Sequence, residues 1–444
     1  MSAGDTGFLL VCSALVMFMI PGLALFYGGM VRAKNVLGTL MHGIVTLGIV
    51  SVLWVVAGYS LAFAPDHAGL IGGFDYLGFG GVGQAPLEAL APTVPHVSFA
   101  TFQLMFAAIT PALISGAFAE RMRFPSFVAF TAAWLLLVYA PIAHWVWAPG
   151  GWIRELGALD VAGGTVVHIN SGAAALAAAL VIGRRSGYGE RPFAPHNLTL
   201  TVLGAGILWF GWFGFNAGSA LGANGLAASA FLATNLGAAA VACGWALAET
   251  ARTRACTSLG AVSGAVAGLV AITPAAGFVG PLAAIAIGLA GGTVSALAIG
   301  LKARFGYDDS LDVVGVHMIG GIVGALLTGV FASLVINAAG ADGLASGGSG
   351  ALLGKQLIAV VCTLAFSFSA SFGILKAVDA LMGLRVSSDD EVSGLDLSQH
   401  REVGYALFED EPMMGSPHGV RDLGPGGEGA PLADAPVTAA GRAG

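Results

Sequence analysis

Two histidines stand out as groups that could do chemistry, His168 and His317. Each sits midway along an apolar stretch, where an ionisable side chain is costly and points to function. Each follows an aspartate by eight residues and precedes a glycine by four: Asp160, His168, Gly172, then Asp309, His317, Gly321. A neutral imidazole offers one hydrogen-bond donor and one acceptor, and two imidazoles can share a proton. Such a pair suits a small, neutral, hydrogen-bonding species, or relay of a proton. Two other readings stay open at this point: hydrogen bonds that only join helices, and axial ligation of a haem iron. Aromatic residues are the second signal. Trp147 lies beside Trp145 and Trp152, and Phe102, Phe106 and Phe215 lie in segments that mix rings with polar groups. A ring face attracts a cation; the same residues also serve as an interfacial belt or as packing.

The elements that position these groups are membrane helices. Of 444 residues, 56% are hydrophobic and 10% charged, where a soluble domain has roughly 25% charged. That excludes an ordinary soluble enzyme and a disordered chain. A net charge of −7 without a basic block excludes a nucleic-acid binder. The 68 glycines suit close helix approach in a bilayer. Cys12, Cys243, Cys256 and Cys362 have neither metal-site nor disulfide spacing, so no metal centre is expected.

A transmembrane helix needs about 20 mostly apolar residues. Eleven stretches qualify: 8–30, 42–63, 99–119, 125–147, 163–183, 198–218, 227–249, 256–273, 279–300, 313–335 and 356–379. No Lys or Arg precedes the first, so it does not read as a signal peptide. Alternate loops hold Arg32 and Lys34, Arg121 and Arg123, Arg184, Arg185 and Arg191, Arg252 and Arg254, Lys302 and Arg304; the other set holds only Arg154 and the boundary residue Lys355. The positive-inside rule then puts the N-terminus outside and the C-terminus in the cytoplasm. An odd number of spans per half makes the Asp–His–Gly match a five-plus-five inverted repeat, with both histidines near one pseudo-two-fold axis. The expected organisation is a transmembrane domain over 1–382, a cytoplasmic tail over 383–410 and a disordered extension over 411–444.

Longer segments carry a resemblance. ALFYGGMVRAKN at 24–35, FQLMFAAIT at 102–110, GAFAERMRF at 116–124, PIAHWVWAPGG at 141–151, DVAGGTVVHIN at 160–170, WFGFNAGSA at 212–220, DVVGVH at 312–317 and GLRVSSDDEVSGLDLSQH at 383–400 run in order along the chain. With them it resembles the ammonium transporter superfamily (Amt/MEP/Rh), its bacterial Amt branch most closely. The resemblance implies an all-α fold of eleven membrane helices and a homotrimer in the bacterial cytoplasmic (inner) membrane. It implies ammonium transport, not an enzyme, with no resident cofactor. His168 and His317 match the paired pore histidines, and Phe106 with Phe215 the gate. Phe102, Phe106, Trp147 and Ser219 match the outer ammonium recruitment site. Asp160 matches a structural or electrostatic carboxylate, and Phe26 with Tyr27 a motif bordering the pore. The segment 383–400 matches a regulatory tail, and a PII-type signalling protein is the expected cytoplasmic partner.

The resemblance also implies a mechanism. NH4+ is recruited outside, loses a proton near the gate, and crosses as NH3 past the histidines. The proton either stays outside or follows through the pair; the sequence leaves both open, and the capacity of two adjacent imidazoles to relay a proton leans to the second. A sensor, an Rh-type gas channel and a haem electron carrier are the competing readings. The chain departs from the family in reading His400-Arg401-Glu402 and in running on well past Tyr405.

Overall fold

The computed structural model describes residues 1–405 apart from Arg191, and the side chains of Ala248, Arg252 and Thr253 are also left aside. The expected extension over 411–444 lies outside the described residues. The architecture is all-helical. The long helices are α1 (Ala3–Met30), α2 (Ala33–Phe63), α3 (His96–Ala117), α4 (124–147), α5 (Gly164–Ile182), α6 (Leu198–Gly218), α7 (Gly225–Ala251), α8 (Ser258–Ile272), α9 (Pro281–Phe305), α10 (Val314–Phe331) and α11 (Ala351–Met382). Two short helices follow, α12 (Ser388–Ser393) and α13 (Leu395–His400).

Among the described residues, ten helical segments are long and apolar enough to cross a membrane. The stretch expected at 256–273 is the exception. It forms α8, only 15 residues, about 22 Å long against a hydrocarbon core of about 30 Å. Pro274 follows directly after its cap and has no N–H to continue the ladder.

Helix starts are written in the sequence. Ser2, Asn197, Asn224 and Thr257 each accept a backbone N–H from three residues on, at 3.2, 3.1, 3.0 and 3.0 Å. Ser387 and Asp390 close a capping box on α12. Four helices contain a π-helical turn: Trp54–Gly58 in α2, Leu135–Tyr139 in α4, Gly164–Ile169 in α5 and Val314–Ile319 in α10. Such wide turns recur at functional sites, and the last two carry His168 and His317.

The two ends of the bundle differ. Between α2 and α3 lie two small antiparallel hairpins, β1 (Asp66–His67) with β2 (Ile71–Gly72), and β3 (Pro86–Leu87) with β4 (Ala91–Pro95). The buried His144 of α4 pins this loop, with Nδ1 2.9 Å from the Ala62 carbonyl and Nε2 2.8 Å from Asp66.

The opposite, basic end is a buried charge network. Glu120 accepts from Arg32 Nε, Asn35 Nδ2 and Arg185 Nη1, each at 2.9 Å. Asp308 takes Arg185 through Nε at 2.9 Å and Nη2 at 2.8 Å. Arg121, fully buried, donates to the Gly183 and Asp308 carbonyls at 2.9 and 2.5 Å. Burial would lift the Glu120 and Asp308 carboxyls; the Arg32 bond to Glu120, the Arg185 bonds to Asp308 and the surrounding guanidinium charges outweigh it and hold both below their ordinary range. Segment 383–405 folds onto this network. Asp396 accepts from the Leu37 and Gly38 N–H groups at 3.0 and 2.8 Å, at the start of α2. Glu391 accepts from Ser186 N at 2.7 Å and from Arg385 Nη2 at 2.8 Å.

Removing one partner of a buried pair leaves the other charge unpaired, which costs about 3–5 kcal/mol. Arg185→Ala leaves Asp308 with only Arg121, 4.0 Å away, and Glu120 with only Arg32 and Asn35, so thermal melting in detergent is expected to show a clear loss of stability at pH 7. Both carboxyls are lowered in the fold, so their contribution is complete above the ordinary values of 4.5 and 3.8 and disappears as pH falls through the lowered ones. In the variant the same carboxyls lose Arg185 while staying buried and so titrate higher than in wild type. The gap is widest near neutral pH and narrows as acid protonates them in the variant.

Candidate functional site: an aromatic cavity above a histidine pair

Helices α5 and α10 touch where the sequence repeats its Asp–His–Gly spacing. A Cβ on Gly172 would strike the backbone nitrogen of Met318, and one on Gly321 would lie 3.0 Å from the Gly164 carbonyl. Only hydrogen at these positions lets the helices approach so closely. The approach brings His168 and His317 together, with Nδ1 atoms 3.3 Å apart and ring centroids 5.4 Å apart at 23°. Both are at least 96% buried.

Geometry constrains the protons. A bond between two Nδ1 atoms requires a hydrogen on one and a lone pair on the other. In a neutral pair, the donor ring then has a bare Nε2 and the acceptor ring an Nε2–H. The pair thus presents one acceptor and one donor. If the first ring takes up a proton at Nε2, the bridging proton crosses to the second ring, that ring releases its Nε2 proton, and the two roles exchange. His168 Nε2 is buried with no protein partner.

The starts of α5 and α10 hold this geometry. Asp160 accepts the N–H groups of Gly163, Gly164 and Thr165, each at 2.7 Å, and the Thr165 hydroxyl. Burial lifts its carboxyl, and these bonds offset only part of that. On the other side Asp309 accepts from Val314 N at 2.7 Å; burial and the neighbouring Asp312 push its carboxyl up to about 6.

Trp212 lies over His168 at 5.5 Å and 22°, and Phe215 follows at 6.1 Å and 25°. The Trp212 indole N–H donates to Thr273 Oγ1 at 2.8 Å, which fixes the ring. Phe106 and Phe215 meet at 4.3 Å and 32°. Phe102 and Trp147 meet the Phe106 ring edge-on, at 4.9 and 5.7 Å. The Trp147 indole N–H donates to the Asp160 carbonyl at 3.0 Å. Ser219 donates its hydroxyl proton to the Phe215 carbonyl at 2.8 Å, which leaves its oxygen free only to accept.

Two cavities flank the Phe106–Phe215 contact. One, of about 350 Å³, is lined by Phe102, Phe106, Trp147 and Ser219. The other, of about 50 Å³, is lined by Phe26, Tyr27, Phe215, His168 and His317. The second is apolar apart from its few polar side chains and admits only very small molecules.

The residues that the resemblance assigns to the recruitment site, gate and pore all line one or other of these cavities; Asp160 lines neither and holds the start of α5. His42 and His144, the other histidines near span ends, lie elsewhere: His42 packs on Phe127 at 4.3 Å, and His144 serves the hairpin loop. Sequence reasoning missed Trp212, Gln103 and Asn216. Trp212 was legible, since Trp212, Phe215 and Ser219 share one helical face at three- and four-residue spacing. Among the described residues no cluster of side chains could hold a metal ion.

The model of the Ammonium Transporter Family matches residues 7–405. The chain belongs to the ammonium transporter family. The transporter is 52% identical over 406 residues to an ammonium transporter of Bacillus subtilis, covering 91% of this chain and 99% of that one. It is 47% identical to ammonium transporter Amt1 of Archaeoglobus fulgidus, covering 91% and 100%. Among solved structures it is similar to Candida albicans Mep2, with a TM-score of 0.83 at 36% identity over 88% of each chain. It is also similar to the structure named Sensor Amt Protein, with a TM-score of 0.82 at 30% identity over 89% and 98%. The transporter is a multi-pass membrane protein that carries ammonium, not an enzyme.

Asp160 offers the first test of the support. Asp160→Ala removes the acceptor for three backbone N–H groups and a hydroxyl at once, each bond to a charged group being worth about 1.5–3 kcal/mol. The expected result is a marked fall in melting temperature and in folded yield by size exclusion. Asp160→Asn keeps one acceptor oxygen and is expected to fall in between.

Proposed function

We propose that this protein recruits NH4+ in the outer cavity, releases a proton at the Phe106–Phe215 gate, and conducts NH3 past His168 and His317. The observation that carries the reading is the buried histidine pair, Nδ1 to Nδ1 at 3.3 Å, behind an aromatic contact that closes off a very small apolar cavity. Three resident rings, Phe102, Phe106 and Trp147, offer π faces to a cation. Ser219 offers an oxygen that can only accept, which suits N–H and gives potassium no bond of that kind.

Selection then follows from the cost of burying charge. An intact ion beyond the gate would lie in hydrocarbon without a counterion, at a cost of several kcal/mol. Ammonium avoids this by dividing into NH3 and a proton; sodium and potassium have nothing to release. Ammonia exchanges hydrogen bonds with the donor and acceptor Nε2 atoms. Transfer across the Nδ1 contact offers the proton a parallel route and favours net NH4+ current over loss of the proton to outside water.

The placement of this machinery in a membrane follows the charge pattern. The basic end faces the cytoplasm, with the N-terminus outside, eleven spans including the short α8, and α5 and α10 as matching members of an inverted repeat. The shared π-turns, capping aspartates and crossing glycines support that symmetry. The likeness to bacterial ammonium transporters supports a place in the bacterial cytoplasmic membrane and assembly as a homotrimer. Segment 383–410 is a regulatory tail on the cytoplasmic face, and a PII-type protein is the proposed partner there.

Ammonium and potassium pulses on purified protein in liposomes test the mechanism. The wild type is expected to give an ammonium current and none with potassium. His168→Ala combined with His317→Ala is expected to abolish the current or its selectivity. Unchanged rate and selectivity in that variant would sink the role of the pair. Internal alkalinisation without current would mean NH3 conduction with the proton left outside. Folded protein with neither signal would favour the sensor reading, to which the likeness with Sensor Amt Protein gives a place.

A further inference from the structure

Two amide side chains also line the outer cavity, Gln103 and Asn216. Gln103 is 9% exposed and Asn216 fully buried, and each has a carbonyl oxygen with no hydrogen-bond partner. Buried acceptors are nearly always satisfied, so an unpaired one beside a cavity points to something bound there. Gln103 directly follows Phe102, and Asn216 directly follows Phe215, so both amides flank the rings already described.

The Asn216 amide is held in one orientation by a chain of hydrogen bonds. The Thr234 hydroxyl donates to the Ala230 carbonyl at 2.6 Å, so its proton is committed. Thr234 Oγ1 can then only accept from Asn216, at 2.9 Å, and the atom facing it must be Nδ2. Thr234 does not line the cavity. The nitrogen is thus turned away, and Oδ1 is the polar atom left to the cavity. The same logic applied to Ser219, three residues on, whose proton goes to the Phe215 carbonyl. Helix α6 therefore presents two oxygens, Ser219 Oγ and Asn216 Oδ1, and both are restricted to accepting.

We propose that Asn216 Oδ1 is a binding group for the ammonium ion at the gate, accepting one of its N–H bonds as the ion leaves water, with Thr234 as the positioning residue that aims it. This rests on the reading of the outer cavity as the ammonium site. An ammonium ion has four donors and no acceptor, so the acceptors and π faces of this cavity match it; the Arg154 guanidinium, which also lines the cavity, is engaged by the Trp147 carbonyl. Gln103, whose amide nothing in the fold fixes, supplies a further oxygen that can turn to the ion. An amide oxygen also accepts potassium, so Asn216 adds capture, while rejection of potassium stays with the proton-release step.

The test compares Asn216→Leu, close in size but without an acceptor, with Thr234→Val, which frees the amide to turn. Ser219→Ala and wild type complete the set, each as full-length protein in liposomes, titrated with ammonium chloride. Loss of one such bond is expected to raise the half-saturating ammonium concentration roughly tenfold in Asn216→Leu, with the maximal signal within about twofold of wild type. Thr234→Val is expected to shift it in the same direction by less. Folded Asn216→Leu with wild-type half-saturation would overturn the proposal, and so would a fall confined to the maximal signal. If Asn216→Leu does not fold, Thr234→Val decides, and an unshifted half-saturation there overturns it. A shift in Ser219→Ala without one in either of these variants would sink this inference and leave the ammonium site standing. A wild type without any ammonium response would remove both.

Discussion

A hydrogen bond between two imidazoles deep in an apolar bundle tolerates little error. Beyond about 3.5 Å it is lost, and each ring is then an unpaired polar group in a medium that does not forgive one. Much of the surrounding structure serves that contact. Glycines at 172 and 321 set the distance between the helices that carry the rings. Trp212 stacks on one ring and is itself held by Thr273. Asp160 and Asp309 fix the first turns of the two helices from opposite ends. The basic network ties the ends of neighbouring helices through Glu120, Asp308 and Arg185, far from any transported species but on the same rigid frame.

The residues that come together in the candidate site were legible because membrane sequences are sparse in polar groups. Where an apolar stretch has a single histidine, its position is informative, and the repeated Asp–His–Gly spacing tied the two together before any coordinates. The family motifs then assigned the gate and the outer rings to residues that do lie against one another. Trp212 was overlooked because a tryptophan in a membrane helix has many uses, and only its phase relative to Phe215 distinguishes this one. Asn216 could not be read at all. Its significance rests on which of two nearly identical atoms faces the cavity, and that depends on Thr234, on another helix.

Other features were beyond the sequence for different reasons. The charge pattern marked the basic end, but not that Glu120 and Asp308 lie buried there among guanidinium groups. Pairing across loops separated by many residues leaves no local pattern. The stretch at 256–273 is mostly apolar, but its helix covers only Ser258–Ile272, capped at Thr257 and stopped before Pro274. The conformation of segment 383–405 follows from Asp396 and Glu391 reaching backbone N–H groups elsewhere, contacts that propensity does not encode.

The wide turns at Gly164–Ile169 and Val314–Ile319 have a consequence for how this chain can vary. A π-helical turn holds one residue more than an α-helical turn over the same rise. Deleting any single residue there would let the helix relax into ordinary α geometry with no loss of backbone bonding. Because the wide turn already absorbs the extra residue, the helix on either side would keep its phase, and only the residues inside the turn would swing to new directions. The local helix would be comfortable, and its histidine would face the wrong neighbour. Single-residue deletions in these two segments therefore belong to a different class from substitutions: they spare secondary structure and destroy alignment.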